Sequence, residues 1–150
     1  MRSLFLAVTI IFCVGLHSIQ AAQTEYHSTV AQQGVQAGVK TKTWQIPDGF
    51  AAGDCRMYKG KITIKSDGTG HFDSLVLTNH STNRKVWHQV LTFYNSGNGK
   101  TFEVNKHDSP GMKDGHPPPQ YNFTYDFNFP APLFDQVAFV FIGCDCKEIQ

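Results

Sequence analysis

Histidine is the residue type in this chain best suited to chemistry, because imidazole titrates close to neutral pH and is the commonest metal ligand. Six lie beyond residue 22: His27, His71, His80, His88, His107 and His116. His71 and Asp73 are two residues apart, a spacing that puts imidazole and carboxylate on one face of a strand. His88 could join them from a neighbouring strand, as a base or a metal ligand. His107-Asp108 and Asp114 to His116 flank a stretch, 108–120, rich in Pro and Gly (Pro110, Gly111, Gly115, Pro117, Pro118, Pro119). A connection of that length is long for a compact β domain, and long ordered loops are where binding residues concentrate. The candidate binding residues are therefore His107, Asp108, Asp114, His116, His71, Asp73 and His88. The plainer reading of His71 and Asp73 is a wet sheet face, and that of the loop a passive surface excursion.

No histidine stands in H-E-x-x-H or similar ligand spacing, so neither a metal site nor a cofactor is expected. There is no G-x-S-x-G elbow and no phosphate-binding glycine loop, and no catalytic residue is assigned. Asp73, Glu103 or Asp126 could form a carboxylate pair, but every β-sheet protein carries such exposed acids.

Residues 1–22 read as a cleaved export signal. Met1, Arg2 and Ser3 are followed by an apolar run from Leu4 to Leu16 and then by a stretch ending at Ala21 and Ala22. The run fits a signal core and falls short of the roughly 20 residues a membrane-crossing helix needs. The expectation is a secreted, extracellular protein with no membrane attachment after cleavage. Losing the leader removes Arg2 and leaves twelve basic residues against twelve acidic ones. That balance gives no support to nucleic acid or anionic lipid as a partner.

Cleavage also removes Cys13 and leaves Cys55, Cys144 and Cys146. An oxidising compartment favours a disulfide, and only Cys55 is distant enough in sequence to clamp the fold. A bridge to Cys144 or Cys146 closes a loop of about 90 residues, for which chain entropy gives roughly 4–5 kcal/mol. The two late cysteines are at i and i+2, on one face of a strand, so only one takes Cys55. The other is left as a thiol or for an intermolecular disulfide.

The elements that must position these residues are strands. Residues 23–38 are polar and lack periodicity, which suggests a loosely structured N-terminal arm or a poorly ordered first strand ahead of a single β domain over 39–150. Val39 to Ile46 alternates. Lys61 to Lys65 and His71 to Thr78 are joined by Ser66-Asp67-Gly68-Thr69-Gly70, and Val86 to Asn95 and Lys100 to Lys106 by Ser96-Gly97-Asn98-Gly99, two hairpins with turns that demand positive φ. Tyr121 to Phe129 alternates Tyr and Phe with Asn, Thr and Asp, a period of two that excludes a helix. Gln136 to Cys144 is apolar on both faces and should be central or covered. Phe139 and Phe141 are counted with the inward set, and Trp44, Tyr58 and Tyr94 as candidates for a sugar-stacking or protein-contact patch. The fold expected is all-β, an antiparallel sandwich or small barrel of about seven strands.

Gly53-Asp54-Cys55-Arg56-Met57, with Trp44 before it and Ile62 to Gly70 and Phe72-Asp73 after it, resembles a family of small secreted proteins, mostly actinobacterial, known only as a domain of unknown function. The resemblance covers roughly Lys42 to Tyr94, with Trp87 and Leu91 in similar places. It implies a β fold and a structural Cys55, and carries no activity or site residues.

Asn79-His80-Ser81 and Asn122-Phe123-Thr124 have the form of N-glycosylation acceptors. Two function classes follow from the whole sequence. One is an extracellular binding or interaction module whose partner is a protein or glycan. The other is a small secreted hydrolase or metal-dependent enzyme, which needs its histidines and carboxylates to converge in one concave site.

Overall fold

A computed structural model of the chain describes residues 24–28, 31–36, 38–46, 50–79, 84–113 and 118–149, and of 24–28 and Gln36 the backbone only. The expected leader and His80, Asp114 and His116 lie outside the described residues. The strands are β1 (Thr24–Ser28), β2 (Gln32–Gln36), β3 (Val39–Gln45), β4 (Phe50–Ala52), β5 (Cys55–Lys65), β6 (Thr69–Thr78), β7 (Arg84–Tyr94), β8 (Lys100–Asp108), β9 (Tyr121–Asn128) and β10 (Phe139–Ile149). A four-stranded sheet has the order β1-β10-β7-β8. A six-stranded sheet has the order β2-β3-β5-β6-β9, with β4 also paired to β5. Every pairing is antiparallel. The two sheets face each other as a sandwich, and neither closes into a barrel.

The turn residues act as their chemistry requires. Gly68 has φ 89°, while Asp67 Oδ1 accepts from the Thr69 amide (2.9 Å) and hydroxyl (2.6 Å). Asn98 sits at φ 63°, and Asn95 Oδ1 accepts from the amides of Gly97 and Gly99. Between the sheets, Trp44, Met57, Ile62, Ile64 and Phe72 meet Trp87, Leu91, Phe93, Val140 and Ile142, all fully buried. Each such side chain contributes about 1.5–3 kcal/mol by leaving water. Cys55 at the start of β5 is bonded to Cys146 on β10, so one covalent link ties the two sheets together. Cys144 stays a buried thiol.

Three readings of the sequence are corrected here. Residues 24–28 and 32–36 are two paired strands, where the sequence suggests a loose arm or a single first strand: β1 lies against β10 and β2 against β3. Backbone pairing at a sheet edge does not need an apolar face, so the lack of periodicity carried no information there. With β4, these short strands also account for the surplus over about seven. The last strand starts later and runs further than expected. After Pro130 the chain winds through a short 3-10 helix, Ala131–Gln136, which ends with the Val137 amide donating to Phe134 O, and β10 begins only at Phe139. Finally, the inward residues of β10 are Val140, Ile142 and Cys144, whereas Phe139 and Phe141 stand half-buried on the outer face.

Candidate functional site

The sequence-derived candidates go to separate places. His71 and Asp73 do share the outer face of β6, both exposed. The carboxylate that meets His71 is nevertheless Asp126 on β9, 2.6 Å from Nδ1. His88 lies on β7, on the outer face of the opposite sheet, where Nδ1 is hydrogen-bonded to Asp108 Oδ1 on β8. A carboxylate can only accept, so Nδ1 holds the proton in both pairs.

His107 points the other way from its neighbour Asp108. Its ring lies on Tyr125 with centroids 3.8 Å apart and planes 8° from parallel. Behind this stack a polar chain crosses the core: Trp87 Nε1 donates to Gln89 Oε1 (3.0 Å), and Gln89 Nε2 donates to the Tyr125 hydroxyl (2.8 Å). Burial pushes the Tyr125 phenol well above its ordinary range, so it stays neutral, and the same cause pushes the His107 imidazole down against the opposing pull of Asp108. His71, His88 and His107 thus do not converge. Among the described residues no group of three or more His, Cys, Asp or Glu is placed to hold a metal ion.

The stretch after Asp108 is anchored. Ser109 exchanges backbone and side-chain hydrogen bonds with Trp87, and Met112 pairs its amide and carbonyl with Lys85 while its side chain is fully buried. Residues 109–112 therefore prolong the edge of the four-stranded sheet along β7. This holds Asp108 in place beside His88.

The concave feature that contains His88 is a shallow groove of about 330 Å³ on the outer face of that sheet. Its geometry follows from three cross-strand rows. Asp108, His88 and Asp145 form one row across β8, β7 and β10; Val90 and Gly143 form the next; Glu103, Thr92 and Phe141 form the third. Residues directly opposite have Cβ atoms about 4.5–5.5 Å apart, so each row is a continuous strip of surface. Gly143 makes the groove, since a Cβ placed there would meet none of the described side chains within 4 Å. Its missing side chain leaves a flat apolar floor with Val90, walled on one side by Phe141. Lys106 and Lys147 complete the rim.

Among the described lining residues two acids, Glu103 and Asp145, stand against two lysines, Lys106 and Lys147. Lys100 donates to Glu103 Oε2 at 2.8 Å and holds that carboxyl below its usual range, burial opposing and Thr92 assisting. Glu103 is therefore an acceptor at neutral pH. Asp145 Oδ1 accepts from the Cys146 amide at 2.8 Å, which orients it along the strand. Beyond Phe141 the apolar wall continues as Tyr94, stacked on Phe139 with centroids 5.3 Å apart.

Of the aromatic candidates, Tyr94 adjoins this groove, Tyr58 is half-buried on the outer face of the other sheet, and Trp44 is a core residue. Gly143, Thr92, Lys106, Phe141 and Asp145 were not picked out from the sequence as site residues. The signal available was Gly143 itself, a lone glycine inside an otherwise apolar strand, which marks close backbone approach or open space.

No curated protein and no solved structure matches this chain. Residues 61–146, from the middle of β5 through Cys146, match a family of unknown function (DUF6294), a span that includes His88, Glu103, Asp108, Gly143 and Asp145 and extends well past the region of the resemblance noted above. The chain belongs to that family.

Proposed function

We propose that this is an extracellular binding module that takes a neutral glycan in the groove over Gly143. The observation that carries the reading is an apolar floor and aromatic wall, Val90, Gly143 and Phe141, ringed among the described side chains by both acceptors (Glu103, Asp145) and donors (Lys106, Lys147). A sugar presents an apolar ring face and hydroxyls that both donate and accept, and this lining offers a partner to each. A phosphate or carboxylate ligand would meet Glu103 and Asp145 as well as Lys106 and Lys147, so these residues give an anion no net attraction. A globular protein partner would need about 800 Å² of contact per side, far more than the groove provides. Its volume suits a small ligand or the end of a chain.

The test compares wild type with Gly143→Val on an array of neutral oligosaccharides and in pull-downs with chitin, cellulose and β-glucan. Valine favours strands and a Cβ at this position clashes with none of the described side chains, so the variant should fold as well as wild type while its methyl groups fill the floor. The expected result is retention of wild type on at least one neutral glycan, weakened at least tenfold in the variant. Retention on none of them, or equal retention of both proteins, would sink the proposal.

A further inference from the structure

The outer face of the six-stranded sheet carries an apolar step that ends on an asparagine. Tyr58 of β5 is directly opposite Leu75 of β6, and Leu75 is directly opposite Asn122 of β9. Tyr58 and Leu75 are half-buried, although Arg56 and Asp73 beside them on that face are exposed; Leu77, on the other side of Leu75, is buried, and Asn122 is exposed. Asn122 opens the sequence Asn122-Phe123-Thr124. Phe123 is buried and holds the strand down, so Asn122 and Thr124 emerge together on the solvent side.

We propose that Asn122 is an N-glycosylation site whose first sugar lies across Leu75 towards Tyr58. The donor is a polyprenyl-pyrophosphate-linked oligosaccharide. The Asn122 amide nitrogen forms a bond to C1 of the first N-acetylglucosamine, the C1–oxygen bond to the lipid pyrophosphate breaks, and the lipid pyrophosphate leaves with the bonding electrons as the amide gives up one proton. Cross-strand partners have Cβ atoms about 4.5–5.5 Å apart, so the first ring reaches Leu75 without any rearrangement of the sheet. Its apolar face would cover the surface that Leu75 and Tyr58 leave towards water. This places the modification on the opposite outer face from the Gly143 groove, and its test does not depend on what that groove binds. Asn79 is exposed just past β6, but the rest of its acceptor sequence lies outside the described residues and the proposal is confined to Asn122.

The full chain, with its own leader, is expressed in a eukaryotic secretory host, and the peptide containing residue 122 is mapped before and after enzymatic release of N-glycans. The expected result is a glycopeptide that becomes Asp at 122 on release, lost in Asn122→Gln and kept in Thr124→Ser, which retains both the acceptor sequence and a hydroxyl for Phe72 O. Iodination of Tyr58 should be slower in the glycosylated protein than after deglycosylation. A chain that does not enter the secretory lumen, or enters and shows an unmodified Asn122, overturns the site. Equal iodination rates overturn the placement of the sugar.

Discussion

The imidazole of His107 lies flat on the phenol ring of Tyr125, inside the edge of the sandwich, while the adjacent Asp108 faces outward to His88. Burial is the larger influence on His107 and disfavours its charged form. The fold therefore binds the proton more weakly than the unfolded chain, whose imidazole titrates near 6.5. As pH falls through about 6.5, the unfolded state takes up the proton first and stability declines, until the native imidazole is protonated as well. Above that range this residue adds no slope. Urea midpoints at about pH 7.5 and about pH 5 should differ more for wild type than for His107→Phe, which keeps the stack and cannot titrate. A variant with an unchanged slope would show that other groups carry the acid sensitivity.

The Cys55–Cys146 bond closes a sequence separation of 91 between the two sheets. Peptide mapping without reduction should find this pair, with Cys144 recovered as a thiol. Cys55→Ala or Cys146→Ala should cost about 2–5 kcal/mol in urea unfolding. Cys144→Ala should cost far less and leave the bridge intact. Because Cys144 is 2% exposed on the inner face of β10, non-reducing electrophoresis of the folded protein should show no disulfide-linked dimer. A dimer band lost in Cys144→Ala would show that the sandwich opens enough to expose it.

Legibility followed contrast between strand faces. Tyr121–Asn128 alternates apolar with polar, and Phe123 and Phe127 are buried as that pattern demands. In β10 both faces are apolar, so the pattern could not say that Val140 and Ile142 turn inward and Phe139 and Phe141 outward. That choice rests on long-range terms, the bond to Cys55 and the register in which Gly143 meets Val90. The candidate site was legible only in part for the same reason. His88 and Asp108 were both picked out, but their meeting depends on a register shift between Gln89 and Leu91 in the β7–β8 pair, which no local signal announces. His71 met Asp126 instead of Asp73 because cross-strand partners stand closer than residues two apart along one strand.

Among the described residues Lys42 is the one buried lysine, 8% exposed and on the inner side of the sandwich. Its Nζ donates to Phe134 O (2.9 Å) and Val137 O (2.6 Å), holding the 3-10 turn Ala131–Gln136 to β3, and lies 4.9 Å from the centre of the Phe134 ring. Burial lowers the amine below its ordinary 10.5 against the pull of Asp135, with Lys40 adding to the lowering. Two effects oppose each other in Lys42→Met, which keeps most of the volume. Removing a desolvated ammonium is favourable, whereas the two carbonyls lose a charged donor whose hydrogen bonds are worth about 1.5–3 kcal/mol each. Phe134 O retains the Val137 amide at 3.3 Å, so the loss falls mainly on Val137 O. The expected result is a destabilisation of about 1–3 kcal/mol in urea unfolding near neutral pH. Since the native amine gives up its proton before the unfolded one, wild-type stability should rise with pH between the lowered native value and 10.5, and Lys42→Met should lack that rise. A variant as stable as wild type at neutral pH would mean that desolvation outweighs both hydrogen bonds, and that the turn is held by the packing of Phe134 alone.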